Sequence, residues 1–328
     1  MKKSWWPAAL ILLLGCIWGS SFILIKRGLL AFEPVQVAGW RLFLAGLILT
    51  PWVIRYSFIK RGVNKQNTHN PKLLRKDYIN LFLSGLLGNG IPAFLFSYAG
   101  TRIPSGLSGI LNAFTPMFTL LVGIWLFRDR LTRNGFLGVL CGISGAIFLF
   151  GPAVYQALSG GSGAQADPLS IIMVLFAALL YGYNINLIKH RLHHLPGMIK
   201  TAYPFFFMGI LCAFILGGTR VDQAWVADNA QAWKSFGFLC ILGVLGSAVS
   251  MILFNYLIRY TSALVASTNT FIIPVVAVMW GLFDKETLTW NMFVGLLLSL
   301  GAVYLIMRKD NHPPRTADDM EELKEFTE

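Results

Sequence analysis

The sequence predicts an all-α integral membrane protein, with ten transmembrane helices in two inverted five-helix repeats. Three observations predict it. The composition is too poor in charge for a water-exposed surface, apolar runs of membrane-spanning length recur along the chain, and the two halves repeat one another at a nearly constant offset.

Of 328 residues, 55% are hydrophobic and only 13% charged, with a mean hydropathy of +0.62. A soluble domain carries about a quarter charged residues. The net charge of +12 is not one basic patch but short stretches between apolar runs, which suits orientation signals facing anionic lipid and excludes a nucleic-acid partner. The four cysteines, Cys16, Cys141, Cys212 and Cys240, lie inside apolar runs without a Cys-x-x-Cys pair, so they read as packing residues rather than disulfides or zinc ligands. The expected partners are a lipid bilayer and a small-molecule substrate, with no cofactor, and the assembly reads as a monomer or homodimer.

At about 20 residues per span, helices fall at 6–29, 34–54, 78–98, 104–127 and 135–152, then 169–189, 198–218, 235–257, 262–283 and 290–307. The first run follows Lys2 and Lys3 like a secretory signal, but it is too long and lacks a small-residue cleavage site, so it counts as a span. Twenty Lys and Arg residues fall on the side of the N-terminus and six on the other, which predicts both termini in the cytoplasm. The Gly-Ser stretch near the midpoint makes 158–167 a linker between a first half, 1–157, and a second, 168–308. A polar, acidic tail follows at 309–328.

The halves match at an offset of 158: Gly85-Leu86-Leu87-Gly88-Asn89 lies over Gly243-Val244-Leu245-Gly246-Ser247, and Pro116 over Pro274. After one-residue gaps Leu131-Thr132 meets Leu288-Thr289, and an offset of 163 places Trp18-Gly19 over Tyr181-Gly182 and Lys26 over Lys189. Five spans is an odd number, so the halves would enter the membrane with opposite polarity. That arrangement belongs to secondary transporters that expose one site alternately to each side.

On these residues the chain resembles the drug/metabolite transporter superfamily, specifically its EamA-type members. Trp18 to Phe22, Pro34 followed by Arg41, and the end of each half carry the match. Those ends are Pro116 with Phe127-Arg128-Asp129, and Pro274 with Phe283-Asp284-Lys285-Glu286. The resemblance implies a ten-helix fold with a central cavity and transport of small metabolites, such as amino acids or related compounds, often as export across a bacterial inner membrane. Asp129, where many members have Glu, and Tyr181, where Trp is expected, depart from the pattern.

The candidate substrate-binding residues are Trp18, Asn89, Tyr98, Asn112, Tyr181, Asn184, Ser247, Tyr256 and Thr270. Ser108, Asn112, Thr115 and Thr119 form a polar stripe on one helical face, which must meet protein or water. Helix-to-helix hydrogen bonding is its alternative reading. Asn89 and Ser247 follow glycine pairs, and Pro92, Pro116 and Pro274 would break helices near mid-membrane, as at transporter sites or at ordinary kinks. The aromatic candidates read as cavity lining or as interfacial belt.

Arg41 is the basic residue well inside a span, about 10 Å from the helix start. An intramembrane charge is a functional candidate, although snorkelling or a tie to Glu33 is the structural alternative. Lys26 and Lys189 read as boundary residues. His190 and His194 have metal-ligand spacing on a helix but no completing ligand nearby in sequence, which favours a solvated loop. No nucleophile–base arrangement supports an enzyme, and no charged ring or carbonyl filter supports a channel. All 15 acidic residues and all five histidines fall in loops, helix ends or the tail, which predicts exchange or downhill transport rather than proton coupling.

Overall fold

The computed structural model describes residues 6–62, 73–129, 133–158, 167–260, 269–286 and 289–307, and among them every regular element is a helix. Backbone N–H and C=O groups in hydrocarbon have no water to bond, so apolar runs close their bonds internally as helices. We label them α1 (Trp6–Gly28), α2 (Pro34–Gly62), α3 (Arg75–Ala99), α4 (Ser105–Phe127), α5 (Arg133–Leu158), α6 (Pro168–Arg191) and α7 (Gly197–Gly217). Then follow the short α8 (Asp222–Ala227), α9 (229–260), α10 (Asn269–Phe283) and α11 (Trp290–Met307). Among the described residues eight helices are long and apolar enough to cross a membrane, and Arg133–Phe148 and Asn269–Phe283 are shorter apolar helices. Of the expected 158–167 linker only Leu158 and Asp167 are described, and the 309–328 tail lies outside the described residues.

Several ends differ from the hydropathy reading. α2 runs on through Arg55 to Gly62 rather than stopping at 54, and α9 starts at Asn229 rather than 235. Helical hydrogen bonding continues into polar sequence where hydropathy falls. At α9 the Asp228 side chain caps the start by accepting from the Gln231 N–H at 3.0 Å. α8 has no counterpart among the sequence-predicted elements.

Two helices are π-bulged, at Leu86–Gly90 in α3 and Val244–Val249 in α9, and the bulges start 158 positions apart, the offset of the sequence repeat. Pro92 lacks the N–H that would bond Gly88, and the wider turn ahead of it absorbs the loss. In α4, Pro116 leaves the Asn112 carbonyl without its helical donor, the helix breaks at Ala113-Phe114, and the Thr115 hydroxyl supplies the missing bond at 2.7 Å. Pro274 sits inside α10 without a break among the described residues, contrary to the sequence expectation.

The main pairings are α2 with α7, α5 with α11, α1 with α10 and α4 with α6. α2 and α7 meet backbone to backbone: a Cβ on Gly46 would lie 2.8 Å from Gly209 Cα and 2.6 Å from the Phe205 carbonyl. Gly46 and Gly209 are 163 positions apart, the offset of the fainter front match. Large apolar side chains such as Trp125, Phe214 and Trp290 stand exposed on the perimeter, where a lipid solvent carries no penalty.

Candidate functional site

The sequence-predicted residues divide into an interior group and a peripheral one. Trp18, Arg41, Tyr181, Asn184, Asn89 and Ser247 gather on the helices that carry or abut the two π turns. The Arg41 Nε donates to the Ser247 hydroxyl at 3.1 Å, and Ser247 in turn donates to the Leu242 carbonyl five residues back, a partner that the π turn brings within reach. Arg41 makes no contact with Glu33, whose backbone N–H bonds the Gln36 side chain instead. Tyr181 lies near Arg41, and its ring stacks on Phe96 at 6.1 Å. Asn184, one turn further along α6, packs against Gly88 of the first π turn, where a Cβ would fall 2.0 Å from its amide nitrogen.

Trp18 has a specific task in this group. Its indole N–H is shared between the Gly246 carbonyl at 3.1 Å and the Ser250 hydroxyl at 3.0 Å. Within the π turn at Val244–Val249, the Gly246 carbonyl is therefore occupied by Trp18 and by the Ser250 hydroxyl. Asn112 marks the break in α4, where its carbonyl and side-chain oxygen both face the Thr115 hydroxyl. Thr270 stands at the start of α10, partly buried. Tyr98 and Tyr256 are 45% and 49% exposed near helix ends, and Tyr256 packs on Trp6, so the structure sets both apart from the interior group.

At the two ends of α4 lie features that the residue-by-residue reading passed over. Beyond α10, Lys285 adopts a left-handed backbone (φ 56°) and the Glu286 N–H bonds back to the Gly281 carbonyl at 2.9 Å. Beyond α4, Arg128 does the same (φ 58°) and the Asp129 N–H bonds back to Gly123 at 2.9 Å. Each cap folds an acid over its helix end. The glycines leave room for it, since a Cβ at Gly281 would stand 2.6 Å from the Glu286 carboxylate and one at Gly123 2.9 Å from that of Asp129.

Each acid then meets a lysine at the end of the first helix of the other half. Glu286 accepts from Lys26 at 2.8 Å, from the Ser105 N–H and hydroxyl, both at 2.9 Å, and from the Gly106 N–H at 3.0 Å, so it also caps the start of α4. Asp284 joins it, paired with Lys26 at 2.7 Å and with Arg27. Asp129 accepts from Lys189 at 2.6 Å and faces His190 at 3.4 Å, whose ring stacks on Phe127. Asp129 and His190 thus stand within ion-pair distance of one another, as do His194 and Asp77 at 3.2 Å. Among the described residues no cluster could hold a metal ion. Lys26 and Lys189, read as boundary residues, are repeat equivalents, as are Gly123 and Gly281. That correspondence was the signal that could have found both pairs.

The two clusters differ in strength. Glu286 is 4% exposed and Asp129 29%. Burial alone would raise the Glu286 carboxyl, but the Lys26 ammonium, the Gly106 and Ser105 N–H groups and the Ser105 hydroxyl together hold it below its ordinary value. Burial likewise works against Asp129, and Lys189 with His190 outweighs it, so that carboxyl is lowered too. Both remain ionised near neutrality. α4 has 23 residues from one cluster to the other, about 34 Å at 1.5 Å per residue, which is roughly a hydrocarbon thickness.

Comparison with known proteins agrees with this architecture. The model of the EamA-like transporter family matches residues 5–151 and 168–308. The inner membrane transporter YedA of Escherichia coli (strain K12) is 25% identical over 297 residues, covering 88% of this chain and 87% of YedA. The transporter YoaV of Bacillus subtilis (strain 168) is 22% identical, covering 88% and 92%. A solved crystal structure aligns with a TM-score of 0.54 at 15% identity, over 92% of this chain and 98% of the other, which is a likeness of fold alone.

Proposed function

The chain belongs to the EamA-like transporter family, and on that premise we propose that it is a secondary carrier working by alternating access. Its cargo is a small organic metabolite, an amino acid or related compound, moved outward across a bacterial inner membrane. The carrier comprises ten spans in two inverted halves, 1–157 and 168–308, with both termini cytoplasmic. Trp18, Asn89, Asn112, Tyr181, Asn184, Ser247 and Thr270 face the substrate path between them.

The observation that carries this reading is the pair of acid–lysine clusters at opposite ends of α4, built from repeat-equivalent residues. A carrier needs a closure at each face that can open while the other holds. Two closures of like construction, a membrane thickness apart, answer that need. Their inequality sets the resting state: the buried Glu286 cluster holds its end shut, and the more exposed Asp129 pair yields first. With both carboxyls ionised near neutrality, substrate exchange or downhill flux drives the cycle without a proton relay.

Counterflow in proteoliposomes tests the reading. Vesicles preloaded with a pool of unlabelled amino acids should transiently concentrate a labelled member above its equilibrium level. Flux indifferent to the substrate on the far side indicates a channel and overturns the carrier. Accumulation against a gradient that collapses with a protonophore would overturn the uncoupled mechanism only.

A further inference from the structure

We propose that Arg41 is the recognition point for an organic carboxylate, so that the carried substrate is bound through its acidic group at the π turn of α9. The proposal rests on the carrier reading and adds to it the chemical class of the substrate.

Arg41 sits seven residues into the 24-residue candidate span Pro34–Ser57, about 10 Å from its start. A guanidinium cannot shed its proton in a protein. In a low-dielectric interior an uncompensated charge costs several kcal/mol, so such residues pair or serve a ligand. Among the described residues no carboxylate lies within 4.0 Å of Arg41, whereas Lys26, Arg27, Lys189 and even the exposed Arg220 each have one. Snorkelling does not relieve it, because its Nε is tied inward to Ser247 on α9.

That bond fixes the fork. With Nε committed to Ser247, the two terminal nitrogens keep four N–H donors in a plane that matches the two oxygens of a carboxylate. Ser247 accepts from Arg41 and donates its one hydroxyl proton to Leu242, which fixes its oxygen toward the arginine. The neighbouring surface is aromatic: Tyr181 lies near Arg41 and stacks on Phe96. A fixed cation beside a stacked aromatic pair suits an acid with an apolar or aromatic body. Coulomb attraction of this kind is strong where water is scarce.

The test uses purified full-length protein and matched acid–amide pairs, namely 3-phenylpropionate, indole-3-acetate and L-phenylalanine with their carboxamides, read by thermal shift. At least one acid should raise the melting temperature, while its amide, chloride and inorganic phosphate at equal ionic strength should not. Arg41→Gln should weaken that acid's affinity at least tenfold, and Arg41→Lys should retain part of it. Should Arg41→Gln fail to fold, Ser247→Ala, which frees the fork without removing it, should also weaken the acid. Stabilisation by amide and acid alike, by the inorganic ions alike, by no acid at all, or undiminished in these variants overturns the inference. Counterflow of any compound that binds separates the two claims. A compound without a carboxylate that exchanges keeps the carrier and removes the carboxylate site, and an acid that binds without exchanging does the reverse.

Discussion

Neutralising Glu286 should open one end of the protein, and neutralising Asp129 should not do so to the same degree. Glu286→Gln keeps the shape of a side chain that is 4% exposed and receives four hydrogen bonds between 2.8 and 3.0 Å. Charge-assisted bonds contribute about 1.5–3 kcal/mol each and neutral ones about 0.5–1.5. Lys26 retains Asp284 at 2.7 Å, so no cation is orphaned and the full penalty for breaking a buried pair, about 3–5 kcal/mol, is not reached. We therefore expect a loss of about 2–3 kcal/mol from the closed state. Asp129 is 29% exposed and Lys189 58%, so Asp129→Asn falls in the range of surface pairs, about 0–1 kcal/mol. A difference near 2 kcal/mol shifts a two-state population by about thirtyfold. The reporter is a cysteine at Ser108, which lines a small cleft with Lys26 and Ser105 beneath the Glu286 cluster. In a cysteine-free background its labelling rate by an impermeant maleimide should rise at least tenfold with Glu286→Gln and less than threefold with Asp129→Asn. Equal rates in both variants, or no change in either, refute the assignment of the dominant closure to Glu286.

Gly281→Ala places a methyl where the Glu286 carboxylate lies, at 2.6 Å, so it should reproduce the Glu286→Gln labelling, while Gly123→Ala, at 2.9 Å from Asp129, should cost less in melting temperature. The pH dependence has a definite sign. Folding lowers both carboxyls below their ordinary values of 4.5 and 3.8, so their stabilisation is complete above those values and disappears as pH falls through the lowered ones. The melting-temperature gap between wild type and Glu286→Gln should thus stay constant from about pH 5.5 to 8 and close only below about pH 4.5. Single cysteines between α2 and α3, at 63–74, and in the 159–167 linker should react with an impermeant reagent from opposite sides of the membrane, and reaction of both from one side breaks the inverted topology.

Much of the fold was legible because lipid imposes a simple rule, that an apolar run of span length is a helix. The repeat offset paired the two glycine segments before Asn89 and Ser247, and the structure shows that these carry the π turns, which the sequence did not announce. Helix ends were less legible. α2 continues to Gly62 because a helix can extend past the apolar run in a way that hydropathy does not register. The acid–lysine clusters escaped the sequence because they require Arg128 and Lys285 in the left-handed region, which side-chain-bearing residues disfavour and no propensity rule anticipates. Trp18 was read as cavity lining from its depth alone. Its hydrogen bonds to α9 span more than 200 positions and became visible only once the halves were packed together.

Locking each end in turn tests alternating access most directly. In cysteine-free protein, cysteines replacing Lys26 and Glu286, or Lys189 and Asp129, are oxidised to a disulfide, and a third cysteine at Ser108 or Thr119 reports access to either half of α4. The account predicts that the 26–286 lock abolishes labelling at 108 and preserves or raises it at 119, and that the 129–189 lock does the opposite, both reversed by reductant. Labelling at both reporters lost together, or unaffected by either lock, would contradict it.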